Sequence, residues 1–342
     1  MSLRAELGES PAVVGRLLHE AGGQVAMVAE AVRARGIDLA VVAARGTSDH
    51  AGIYGQYILG ARNGILVAPA TPSLVSLYGT PPRMGSALVI GISQSGRSPD
   101  VVSVVEASRR QGALTVAITN DVGSELAAAA EHVLPLRAGE ERAVAATKTY
   151  VAELTVLAML SAALSGDAQS RAELDRLPDA LAAAMATEGA LEAAAQAWAG
   201  RAACTVLARG FNYATAREWA LKLKEVAGLL ADPYSTADFQ HGPITLIGEG
   251  APVLAVAPTG VAFDSVTELL ALVAAAGARV LALTDVPALG PGIETVRLPS
   301  VPEWLSPIAA AIPAQLFALH LARARGIDPE HPRHLSKVTL TR

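Results

Sequence analysis

Leu88-Val89-Ile90-Gly91-Ile92-Ser93-Gln94-Ser95-Gly96-Arg97-Ser98-Pro99-Asp100 is the stretch on which the reading of this chain turns. Its first five residues carry no charge and predict a strand buried on both faces, as in a parallel sheet covered by helices. A helix is predicted almost at once. Ser98 serves as its N-cap, Pro99 takes the first helical position, and Val101, Val102, Val104 and Val105 supply a buried face. Between strand and helix lies a polar bend, Ser93-Gln94-Ser95, closed by Gly96. Hydroxyls and backbone N–H groups gathered at the positive end of a helix dipole suit an anion, above all a phosphate. Ser and Gly also serve strand-to-helix bends merely because they cap and turn, so the surroundings must decide.

Those surroundings alternate strand and helix. A helical pattern from Val13 to Ala34, interrupted by Gly22-Gly23, precedes a strand at Leu39 to Ala44 that ends in Arg45-Gly46-Thr47-Ser48-Asp49-His50. Another helix, a short strand at Ile65 to Ala68, the central strand, and further strands at Gly112 to Asn120 and His132 to Leu136 complete the first half. Such alternation is the signature of a doubly wound α/β domain. The second half repeats it: Ala44-Arg45-Gly46 recurs as Ala208-Arg209-Gly210 and Val89–Ile92 as Val253–Val256, both offset by 164, while Gly112-Ala113 recurs as Gly277-Ala278, offset by 165. A common offset argues for tandem duplication. The domains read as 1–166, a helical connector 167–198, a second domain 199–330 and a tail 331–342. At the bend the copies diverge, since the second has Ala257-Pro258-Thr259-Gly260, which predicts a phosphate site in the first domain only.

Composition narrows the partners. The 342 residues are 51% hydrophobic but only 4% aromatic, so the core rests on Ala, Val and Leu; a net charge of −5 without a long basic run gives no support for binding nucleic acid or a membrane surface. The single cysteine, Cys204, sits in an apolar run and reads as a small core residue. Met1 to Pro11 shows no apolar signal-peptide core, and no charge-free stretch of membrane length lacks Gly or Pro, so a cytoplasmic protein is expected. The seven histidines form no metal-ligand pattern, and neither a Gly-x-Gly-x-x-Gly turn nor a P-loop occurs, so no metal or cofactor is expected.

Ser93-Gln94-Ser95-Gly96 with Ser98 resembles the phosphosugar-binding turn of the sugar isomerase (SIS) domain family. That resemblance implies two tandem three-layer αβα, flavodoxin-like domains with five-stranded parallel sheets, and it extends from Arg45 to Lys337. Arg217-Glu218-Trp219-Ala220-Leu221-Lys222-Leu223-Lys224-Glu225 places Glu218, Lys222 and Glu225 on one helical face, ordinarily a solvated ion pair. In the isomerase half of the glutamine–fructose-6-phosphate amidotransferases a matching segment carries the proton-transfer glutamate, which falls on Glu225, with its lysine on Lys222. The same family puts a ring-opening acid/base, reaching a neighbouring subunit, on His241 of Asp238-Phe239-Gln240-His241-Gly242-Pro243, and a Schiff-base lysine on Lys337. It implies sugar contacts at Thr47, Ser48, Val144 and Thr147 beside Ser93, Gln94, Ser95 and Ser98; Ala146 stands where the amidotransferases commonly have Ser. A homodimer with shared active sites is implied.

The amidotransferases carry a preceding glutamine-hydrolysing domain with an N-terminal cysteine; this sequence starts at the sugar domain with its single cysteine in a predicted strand, so glutamine hydrolysis is not expected of it. Stand-alone tandem proteins with these motifs resemble the glucosamine-6-phosphate deaminases unrelated to the hexameric deaminases. The expected reaction is therefore conversion of glucosamine 6-phosphate to fructose 6-phosphate and ammonia by cofactor-free acid/base chemistry. Its rivals are an ammonia-fed synthase lacking its glutaminase, a fructosamine-phosphate deglycase, and a phosphosugar-sensing regulator without turnover.

Overall fold

The computed structural model describes residues 2–337; Met1, at the start of the expected 1–166 domain, and residues 338–342 of the expected tail lie outside the described residues. Backbone contacts divide the chain into two units. The leading unit comprises Glu9–Arg142, Ala146–Arg176 and, of the tail, Ser336 and Lys337; the trailing unit comprises Ser2–Gly8, Ala143–Ala145 and Leu177–Leu335.

The leading unit is built on β1 (Leu39–Ala43), β2 (Leu66–Pro69), β3 (Leu88–Ile92), β4 (Leu114–Thr119) and β5 (His132–Pro135). They form one sheet in the order β2-β1-β3-β4-β5, with every pair parallel. This is the flavodoxin-like order, whose switch point lies where β1 and β3 run side by side. All five residues of β3 are buried, as its charge-free sequence demands. Val89 packs with Val101, Val104 and Val105 of the helix Pro99–Arg110 and with Leu126. At Gly91 the helix layer comes so close that a Cβ would stand 2.8 Å from both Leu126 and Val105, so any larger residue would push those side chains aside.

The trailing unit repeats this plan with β6 (Ala203–Ala208), β7 (Leu230–Ser235), β8 (Pro252–Val256), β9 (Arg279–Thr284) and β10 (Ile293–Arg297). Its order is β7-β6-β8-β9-β10, again all parallel, so the two sheets correspond strand for strand. The edge strand β7 contains Asp232-Pro233, residues that argue against a strand by propensity. It pairs only with β6, and proline's missing N–H is tolerated at an edge.

Helices Glu188–Trp198, Tyr213–Ala227 and Ser306–Ala324 pack together in this unit. Phe317 stands edge-on to both Trp198 and Trp219, with ring centroids 6.0 and 5.5 Å apart. The segment Glu303–Ala324 is long and apolar enough to cross a membrane, yet its most apolar 18 residues are all buried inside the protein. Its Pro307 and Pro313, which interrupt the apolar run in the sequence, are accommodated in one helix.

Candidate functional site

The bend after β3 forms as its sequence predicts. Ser93 donates its N–H to Ile118 of β4 (3.1 Å), and the Gly96 N–H turns back onto both the carbonyl and the hydroxyl of Ser93 (3.1 and 3.2 Å). Gly96 adopts φ +64, and a Cβ there would fall 2.0 Å from Ser124 Oγ, so this position needs glycine on two grounds. Ser98 takes the extended N-cap conformation but makes no side-chain cap bond. Its hydroxyl instead lies 3.3 Å from Ser93 Oγ, so the two hydroxyls converge at the head of the helix Pro99–Arg110. The N–H groups of Gln94, Ser95 and Ser98 have no partner among the described residues. Two paired hydroxyls, three N–H groups and a helix N-terminus offer what a phosphate requires.

Beside it, at the carboxyl end of β1, Arg45 bonds through Nε to Asp100 at 2.6 Å. Asp100 is buried in the first turn of the helix Pro99–Arg110, and its other oxygen accepts the Val101 N–H at 2.9 Å. The ion pair ties the β1 and β3 loops together across the switch point. Thr47 lies half-buried in the first turn of the helix Gly46–Asn63, whereas the buried Ser48 donates its hydroxyl to buried Glu153 at 2.8 Å.

Loop 141–149 is organised by a residue the sequence reading passed over. The fully buried carboxylate of Glu141 accepts the N–H groups of Thr147 (2.9 Å) and Thr149 (3.1 Å) and the hydroxyls of both (3.1 and 2.8 Å). Thr147 is thus bound internally, and Val144 is half-buried. Lys337 Nζ reaches the same carboxylate at 2.7 Å. Burial alone would raise the Glu141 pKa, but the Lys337 charge and the threonine donors hold it below the ordinary carboxylate value. Glu141 was missed because its partners come together only through loop closure and the return of the tail; a carboxylate opening a Thr-x-Thr segment was the available signal.

In the trailing unit the helix Tyr213–Ala227 carries Glu218, Lys222 and Glu225 on one face, as their spacing predicts. This is no solvated pair: the Lys222 side chain is 2% exposed, with Nζ 2.5 Å from Glu225 and 3.5 Å from Glu218. Glu218 is 1% exposed and Glu225 21%, so only Glu225 can present a carboxylate oxygen to a ligand. His241 ends the helix Thr236–Gln240 and stands exposed on a turn, followed by Gly242 at φ +126.

The second copy of the bend is already filled. Thr259 donates its N–H and hydroxyl to Asp285 (2.7 and 2.6 Å), while the N–H groups of Val261 and Ala262 donate to Glu303 (2.8 and 3.2 Å). The Glu303 carboxylate sits where a Cβ on Gly260 would collide with it at 2.2 Å. An internal carboxylate therefore satisfies the N–H groups ahead of the helix Phe263–Ala275.

Comparison with known proteins identifies the family of this fold. The SIS domain model matches residues 37–163 and 203–325. Glutamine–fructose-6-phosphate aminotransferase from Methanothermobacter thermautotrophicus is 35% identical over 338 residues, covering 97% of this chain and 56% of that enzyme. The chain thus spans about half the length of the curated relatives it matches. A solved structure from Silicibacter pomeroyi, described as a candidate phosphosugar isomerase, is 34% identical with a TM-score of 0.84, covering 95% of this chain and 98% of that one. Glucosamine-6-phosphate deaminase from Thermotoga maritima shares the fold at 20% identity and a TM-score of 0.78, covering 98% of this chain and 99% of that one. With both halves matched and both sheets in one strand order, the chain belongs to the SIS domain family and carries two copies of that domain in tandem.

Proposed function

We propose that this chain is a phosphosugar aldose–ketose isomerase, and that it converts glucosamine 6-phosphate to fructose 6-phosphate and ammonia. The observation that carries the reading is the buried row Glu218–Lys222–Glu225, in which a lysine clamped between two carboxylates leaves only the second within reach of a ligand. A surface ion pair would not be buried in this way. The phosphosugar class is supported by the family and by the names of the relatives and neighbours.

In this reading Ser93, Gln94, Ser95 and Ser98 receive the phosphate, and Thr47, Ser48, Val144 and Thr147 shape the sugar's surroundings. His241 assists ring opening by moving a proton between the ring oxygen and the C1 hydroxyl. Glu225 takes the C2 proton of the open-chain aldose and returns it to C1, while the C1 oxygen gains a proton and the C2 amine gives one up, which leaves a C1 hydroxyl and an imine at C2. Water adds to that imine and ammonia departs, with Lys337 or Lys222 polarising C2. The setting proposed is a cytoplasmic homodimer with shared sites.

Ammonia release by the chain alone, measured across several 2-amino-2-deoxyhexose phosphates, tests the proposal. Release from glucosamine 6-phosphate supports it; none from any of them overturns the deaminase assignment. The aminotransferase names of the relatives favour a second reading, an ammonia-fed synthase. Formation of glucosamine 6-phosphate from fructose 6-phosphate and ammonium with a kcat/KM well above that of the reverse reaction would favour that instead.

A further inference from the structure

Arg333, His334, Leu335 and Ser336 of the tail are exposed, whereas Lys337 turns inward, its side chain 25% exposed. It meets the Glu141 carboxylate, which is fully buried and holds four neutral donors from Thr147 and Thr149. A buried carboxylate with neutral donors alone remains costly, and a lysine supplies the missing countercharge. The same donors fix the carboxylate's orientation, so the ammonium it attracts has one place to sit.

We infer that Glu141 is a positioning residue that seats the Lys337 ε-amino group on loop 141–149. The inference rests on the proposed function, and within it on the arm in which Lys337 rather than Lys222 polarises C2. Glu141 itself touches no reacting atom. It converts a lysine on a polar tail into a fixed one, and misplacing a reacting group by about 1 Å costs on the order of 10²-fold in rate.

The test combines amine-labelling kinetics with turnover on the full chain. Acetylation at individual lysines is followed by mass spectrometry, with exposed Lys224 as the internal standard. In the unaltered protein Lys337 is expected to react roughly 10-fold more slowly than Lys224, as one charge-assisted bond would impose. Glu141→Gln should remove that protection and lower kcat for ammonia release about 10²-fold with little change in KM. Glu141→Asp, which keeps the charge, should restore part of both. Equal labelling of Lys337 and Lys224 in the unaltered protein overturns the inference whether or not the variants fold, and so does retained protection in Glu141→Gln. Protection without ammonia release supports the seat while overturning the assigned reaction.

Discussion

Glu225 differs from Glu218 by one physical property, access. Both lie within reach of Lys222, but the helix Tyr213–Ala227 buries one and leaves the other a fifth exposed. General acid–base groups contribute roughly 10²–10⁴-fold, so Glu225→Gln should lower ammonia release by that factor while leaving phosphosugar binding intact; unchanged turnover would falsify the assignment. Gly96 is a second residue-scale case. Gly96→Ala puts a methyl group 2.0 Å from Ser124 Oγ at a φ of +64, so the bend must rearrange. Calorimetric titration with a sugar phosphate should show binding lost in that variant while the far-ultraviolet circular dichroism is kept. The shared face of Glu218, Lys222 and Glu225 and the bend at Gly96 were legible in the sequence because helical spacing and a Ser-Gly bend are local signals, whereas the roles given to Glu225 and Lys222 came only from the family resemblance. Glu141, Asp100 and Glu153 were not, since each acts through a partner the fold brings from elsewhere in the chain.

At the scale of elements, local pattern located β3 and its following helix closely, whereas β7 escaped because Pro233 speaks against a strand until the sheet is known to end there. Ser98 shows the same limit from the other side. Its capping position was legible, but its hydroxyl turns to Ser93 rather than to the helix it precedes. Loop 141–149 yields a pH prediction. The folded Glu141 carboxyl lies below its ordinary value of 4.5, so its stabilisation is complete above that value and is lost as pH falls through the lower folded one. Urea midpoints at neutral pH and near pH 3 should therefore converge in Glu141→Gln relative to the unaltered protein. The helix Ser306–Ala324 yields another. Phe317 wedges between two buried tryptophans, and Phe317→Ala should cost about 3–5 kcal/mol by chemical denaturation.

Over the whole molecule, one strand order is used twice, and the offset of 164 in the sequence proves to be a repeat of β1, β2 and β3 as β6, β7 and β8. Duplication was legible as register; the fate of the second bend was legible only as lost hydroxyls, because Glu303 lies far along the chain from the N–H groups it satisfies. The expected stoichiometry is one sugar phosphate per chain, checked by equilibrium dialysis. Glu303 also sets a difference in rigidity. Its carboxylate is a permanent guest that braces the trailing bend from within, whereas under the proposed function its twin would stiffen on capture of a sugar phosphate. Amide hydrogen exchange should read this as slow Val261 and Ala262 in the empty protein, against Gln94 and Ser95 that slow down when a sugar phosphate is added.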